Sequence, residues 1–584
     1  MCSPNISSRS RRKFPDPCVT SRCGPSKRLL SRLAIGIAVL LGGGGPAVAQ
    51  VERRELPVLQ GEASPQAETA PIGPAAAAQP ELAPPAEPYA SAPMDGHAGA
   101  QAESALPRDL WRGLEGSALA QLLAQVPIPS PSPALANLLA RALATNPEAA
   151  GGEAAMRVAA LKWGGCVNEL TEILQSLAQA GEPGVAAPYA MALLAAGRTE
   201  EACAIQLGGQ GQLDVASKRA TFLIPVYCAQ LSGDQGSARQ GLNIARGNGV
   251  DAGLAASVVV GPPRGLHLAR NADVLDYLFL KLAKAANRPD IAAKASPELL
   301  FLLTRDDEAG PELRLAAAER AASLKVIDGE ALGTVYRDAA PRLAKTAQSP
   351  TALRAKLFAA LEGQSEKVRA ESIDALLASG REARIEIPMA QAIAQASNGV
   401  AQDTQAANFA EAGVRVAALA GDDQTAWDLT QAADARGRSW QLLLVTTDPM
   451  SERSRAALES GVDIALKAGL PGPLLQRLVT VLDALGEEVP IPLWDLAAKT
   501  PQPDDGYLPA TGVLSALKDA ADHGDLGRTI LLAACAFGPE GPKGAHLIAL
   551  SDGLRALKRI GLNAEARRLE FEALYAHWPA RGKV

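Results

Sequence analysis

The chain has 584 residues, of which 47% are hydrophobic, 21% charged and 4% aromatic, with a formal charge of −6. Its 53 glycines and 42 prolines follow no period, which excludes collagen-like arrays. The acidic balance excludes a general nucleic-acid binder, which needs a basic footprint. No run of about eighteen apolar residues occurs, so no stable membrane insertion is expected.

Residues 1–49 read as a signal peptide. Arg9, Arg11, Arg12, Lys13, Arg22, Lys27, Arg28 and Arg32 face a single acid, Asp16, and an apolar stretch runs from Leu33 to Leu41. Four glycines and Ala47-Val48-Ala49 follow, and a basic start, a short apolar middle and a small-x-small exit are the parts of a secretory leader. Cleavage is predicted after Ala49, with the periplasm as destination. Ser10-Arg11-Arg12-Lys13-Phe14 resembles the twin-arginine export motif, from which Pro15 and Asp16 depart. Without the leader, whose own charge is +7, the remaining chain carries −13.

Residues 50–107 read as a disordered linker rich in Pro and Ala. Ten prolines fall between Val51 and Leu110, among few large apolar residues, so neither a helix nor a core is expected there.

From residue 108 to 584 the pattern is helical, and the fold class read from it is all-α. Val167, Leu170, Ile173, Leu174 and Leu177 share one helical face, as do Leu475, Leu478, Leu482 and Leu485. Leu547, Leu550, Leu554 and Leu557 repeat the spacing of three and four that marks an amphipathic helix. Ser257–Val260 and Leu442–Thr447 are the only β-like runs. Weak breaks are placed near 260–266 and 500–512.

One punctuation recurs. Gly197, Gly233, Gly421 and Gly561 each end a helical pattern and stand five residues before an alanine, with a looser copy at Gly524. A glycine accepts the left-handed backbone that caps one helix, and a small residue then lets the returning helix approach. Gly197 to Gly233 spans 36 residues and Gly524 to Gly561 spans 37, close to the ~34 of tetratricopeptide repeats. The turn therefore resembles a degenerate tetratricopeptide-like repeat, and the resemblance implies an α-solenoid of short antiparallel helix pairs. The leader, the linker and segments such as Ile224-Pro225-Val226-Tyr227-Cys228 are also similar to a group of bacterial exported helical proteins, some of them labelled antifreeze glycopeptide-like. Antifreeze glycopeptides are Ala-Ala-Thr arrays, which this chain lacks; its alanines read as helix formers.

Four cysteines follow the leader: Cys166, Cys203, Cys228 and Cys535. Their spacings of 37, 25 and 307 residues match no zinc pattern. A bridge between Cys203 and Cys228 would join neighbouring helices; small buried thiols are the alternative.

The search for chemistry finds no cofactor, metal or catalytic motif. His97, His267, His523, His546 and His577 are scattered, and Asp522-His523-Gly524-Asp525 falls on a turn. Gly208-Gly209-Gln210-Gly211 lacks the Lys and Ser/Thr of a phosphate loop. Arg555, Lys558, Arg559, Arg567 and Arg568 form the one notable basic group, read either as a docking site for an acidic partner or as solvated helix faces. Trp427, Trp440 and Trp494 read as core anchors or as platforms for sugar or peptide. Two functions remain: an exported scaffold binding an envelope protein or peptide without catalysis, and an envelope enzyme acting on wall polymer from a helical toroid.

Overall fold

The computed structural model describes residues 106–579, apart chiefly from 146–156, 209–213, 262–271 and 397–406. The signal peptide, most of the linker and residues 262–266 of the break near 260–266 lie outside the described residues. Those that are described form helices and connecting turns, with no strand among them and only two isolated bridges, Ala272 with Ala295 and Tyr507 with Ala545.

Local chemistry explains where helices begin and end. Ser132, Asp214, Ser296, Asp328 and Ser349 each accept a backbone N–H from the first turn of the helix they precede, which satisfies a donor that has no partner inside the helix. Gly197, Gly233, Gly421, Gly524 and Gly561 all take positive φ, between 73° and 87°. Neither β-like run is a strand: Gly253–Val259 covers most of the first, and in the second Leu442–Leu444 end the helix Ala435–Leu444 while residues 445–447 form a turn. In the first, burial of the apolar side chains against neighbouring helices outweighs the mild helix penalty of valine.

Most helices pack on near neighbours in sequence. Val215–Leu231 lies on Gln235–Gly247, Ala407–Ala420 on Asp423–Ala432, and Thr511–His523 on Leu526–Phe537. The two ends of the body depart from that rule. Gly116–Leu123 and Pro133–Ala144 pack on Leu526–Phe537, and Pro133–Ala144 also packs on the last helix, Asn563–Tyr575. The early helices carry apolar faces, including Leu119, Leu135, Leu138 and Leu139, and the late helices cover them. At the same junction Gly527 N donates to Leu110 O at 3.0 Å.

The last helix is a hub. It also touches Ala435–Leu444, Gly472–Ala484 and Leu547–Arg559, and its residues from Leu569 to Tyr575 are all buried. Segment 501–510 is non-helical but tied down, with Tyr507 N donating to Gly544 O and His546 N to Tyr507 O. Gly472–Ala484, earlier in the chain, and Thr511–His523, just after the segment, both pack on Leu547–Arg559.

Candidate functional site

Where the early and late helices of the described body meet they help to wall a cavity of about 420 Å³. Its lining comes from 128–143, 160–169, 301–305, 324–331 and 387–391, together with Arg568 and Glu572 of the hub helix. That volume lies within the range of small-ligand sites, which runs from about 300 to 1,000 Å³. The walls mix apolar groups such as Ile128, Leu139 and Phe301 with six charged side chains: Glu169, Arg305, Lys325, Asp328, Arg568 and Glu572.

Glu572 is fixed by the opening turn of Pro133–Ala144. Ser132, the N-cap, donates its hydroxyl to Oε2, and Ala134 N donates to Oε1 at 3.0 Å. A helix N-terminus favours a carboxylate, but burial is the larger effect and raises Glu572 above the ordinary glutamate value; Arg568 opposes it first. Two turns away Arg141 meets Glu565 at 2.6 Å, which fastens the same two helices again.

Lys325 stands just past the helix Pro311–Ser323 with φ at 64°, in the left-handed region where the other turns named above use glycine. It is half-buried and lines the cavity. Desolvation lowers it from the ordinary lysine value; Glu572 pulls it back and Lys543 adds to the lowering. Among the described residues it has no ion-pair partner. Arg305 has none either, and lies 3.9 Å over the Phe301 ring. Arg568 donates to the carbonyls of Ala418 and Leu419, at the end of Ala407–Ala420, and so caps the negative end of that helix.

The basic residues singled out from sequence do not form one free patch. Arg555 pairs with Asp483 at 2.8 Å, Arg559 pairs with Asp522, and Lys558 donates to Leu485 O. Arg567 is half-buried, and only Arg568 reaches the cavity. Trp427 and Trp440 are buried and Trp494 is partly exposed, at 37%. Cys203 and Cys228 are joined by a disulfide with their Cα atoms 5.8 Å apart, linking Thr199–Ala204 to Val215–Leu231. Burial pushes the Cys166 thiol up to about 12 and that of Cys535 up to about 11, so neither is a ready nucleophile. His523 and His546 each make a local hydrogen bond, His577 bonds the Lys543 carbonyl, and no cluster of metal-ligating side chains exists among the described residues. His97 and His267 lie outside them. No described helix is long and apolar enough to cross a membrane.

Sequence reasoning missed Ser132, Arg305, Lys325 and Glu572. Glu572 carried one signal, a second acid inside the otherwise apolar run Leu569-Glu570-Phe571-Glu572-Ala573-Leu574. Lys325 carried none, because a lysine after a helix is ordinary. In comparison with known proteins, no family model, no curated protein and no solved structure matches the chain.

Proposed function

We propose that this chain is an exported, non-catalytic scaffold that holds a protein or peptide of the cell envelope. Its body is read as an α-solenoid of degenerate tetratricopeptide-like helix pairs whose ends come together. The leader over 1–49, cleaved after Ala49, delivers it to the periplasm, and the linker over 50–107 precedes the body. The disulfide between Cys203 and Cys228 suits that oxidising compartment.

One observation carries the reading: the cavity at the junction presents two cations, half-buried Lys325 and exposed Arg305, that have no ion-pair partner among the described residues. The test is to crosslink intact cells expressing a C-terminally tagged chain and to identify what co-purifies from the periplasmic fraction. A reproducible, stoichiometric envelope protein is expected. If the tagged chain is abundant there and nothing is enriched, the scaffold reading fails.

A second reading, an envelope enzyme acting on wall polymer, is favoured by Glu572, a cavity carboxyl that burial shifts toward its acid form. General acids are tuned in this way. Hydrolysis of purified wall polymer that is lost in Glu572→Gln would select this reading over the first.

A further inference from the structure

We infer that the cavity recognises the free carboxylate end of a peptide, with Lys325 as the residue that meets the charge. This deepens the scaffold reading and rests on it for the partner, while the chemistry comes from the cavity.

Three non-glycine residues of the described chain adopt positive φ: Lys284, Lys325 and Arg384. Each follows a helix by the same step, after Val274–Leu282, Pro311–Ser323 and Glu366–Glu382. A side chain in that region costs about 1–2 kcal/mol, and the negative end of the helix gives part of it back to a cation. Lys284 and Arg384 are exposed, so solvent supplies the rest. Lys325 alone turns into a cavity wall, where an ammonium without a partner is costly.

No described carboxylate reaches it as an ion pair. Glu572 acts on it electrostatically but is held by Ser132 and Ala134 and forms no ion pair with it, and Arg568 is engaged by two carbonyls. Arg305, exposed on the same lining, is a second cation without an ion-pair partner among the described residues, there compensated by solvent until an anion arrives. The gap fits an anion brought from outside.

The surroundings choose which anion. Glu169, Asp328 and Glu572 share the lining and oppose a dianion such as phosphate more strongly than a carboxylate. Gln391 and Asn168 offer amides, and Ile128 and Phe301 offer apolar contact, as a peptide requires.

The test uses the full exported chain, a pool of N-acetylated tripeptides as free acids, and the same pool as C-terminal amides. Equilibrium dialysis with mass spectrometry reads what is retained. Members of the acid pool should be retained roughly tenfold above their amides, the worth of one charge-assisted hydrogen bond. Lys325→Gln should remove that preference, while Lys284→Gln, at the same backbone position but in solvent, should keep it. Equal retention of acids and amides, retention of neither, or an unchanged preference in Lys325→Gln overturns the inference. Displacement of the acids by inorganic phosphate at lower concentration overturns the choice of carboxylate. If these fail while an envelope protein still co-purifies from cells, the scaffold reading stands and only the site assignment falls.

Discussion

Two parts of this molecule are built by opposite means. The pair Val215–Leu231 and Gln235–Gly247 is one-sided: Ala220, Leu223, Ile224, Ala238, Leu242 and Ala245 are buried, while Val215, Leu231 and Ile244 face solvent. Its neighbours are all close in sequence, and the disulfide from Cys203 to Cys228 clips its first helix. The hub helix Asn563–Tyr575 buries seven consecutive residues, two of them glutamates, and touches helices from both ends of the body. Damage to the pair should therefore stay local, and damage to the hub should loosen distant segments.

The largest test is Phe571→Ala. Phe571 has no exposed surface, stacks on Tyr575 with ring centroids 6.1 Å apart and lies under Arg568 at 4.9 Å. Truncation should cost about 3–5 kcal/mol. Hydrogen exchange should rise in 133–144 and 435–444 as well as in the hub itself. If the rise stops at the hub, the contrast between the two regions is wrong.

Next comes the clip. Replacing Cys203 and Cys228 together by serine should cost about 3 kcal/mol, because the bridge closes a separation of 25 residues in the unfolded chain. Exchange and proteolysis should increase around 199–231 and leave the hub untouched. Equal loosening of 563–575 would show that the pair and the hub are one cooperative unit.

Glu570 tests the hub's polarity. It is fully buried, both carboxyl oxygens lack a hydrogen-bond partner, and burial raises it well above the usual glutamate value, with Glu487 adding to the rise. A raised value in the folded state means that the fold prefers the proton. The stability linked to that proton is complete below the ordinary glutamate value and is lost as pH rises through the folded one. Melting temperature should therefore fall from pH 5 to pH 9. Glu570→Met should flatten that fall and add about 1–3 kcal/mol at the alkaline end. Glu572, shifted in the same direction, keeps some slope in the variant. Parallel slopes for the two proteins would remove Glu570 from the explanation.

The same contrast decides what could be read from sequence. Helix faces at 167–177, 475–485 and 547–557 repeat every three or four residues, and the turns after them use glycine where φ is positive, so the periphery writes itself into local pattern. The hub does not. A helix buried on consecutive residues has no stripe to detect, and Arg568 looked like part of a basic surface although it caps another helix. The contacts that complete the cavity, Ser132 and Ala134 with Glu572 and Arg141 with Glu565, join positions more than 400 residues apart. No spacing rule reaches that far. Lys325 was hidden differently: in the chain it is a basic residue after a helix, and only burial separates it from Lys284 and Arg384.

The smallest effects give the sharpest contrast, because one substitution should have opposite signs in the two regions. Gly527 opens the turn of Leu526–Phe537 against the chain's early end, and a Cβ there would lie 2.6 Å from the Trp111 ring and 2.7 Å from Leu110 O. Leu110 O already accepts from Gly527 N, so the backbone cannot retreat without losing that bond. Gly527→Ala should cost about 1–3 kcal/mol. Gly247 ends the outer helix of the pair with nothing within 4 Å of where its Cβ would be. There alanine only narrows the unfolded ensemble, and Gly247→Ala should stabilise by about 0.4–1 kcal/mol. Chemical denaturation of the two variants beside the parent measures both. If Gly527→Ala is neutral, the early helices yield easily and the closure of the body is loose. If Gly247→Ala destabilises, the pair's outer face is covered by something that the packing of its own two helices does not include.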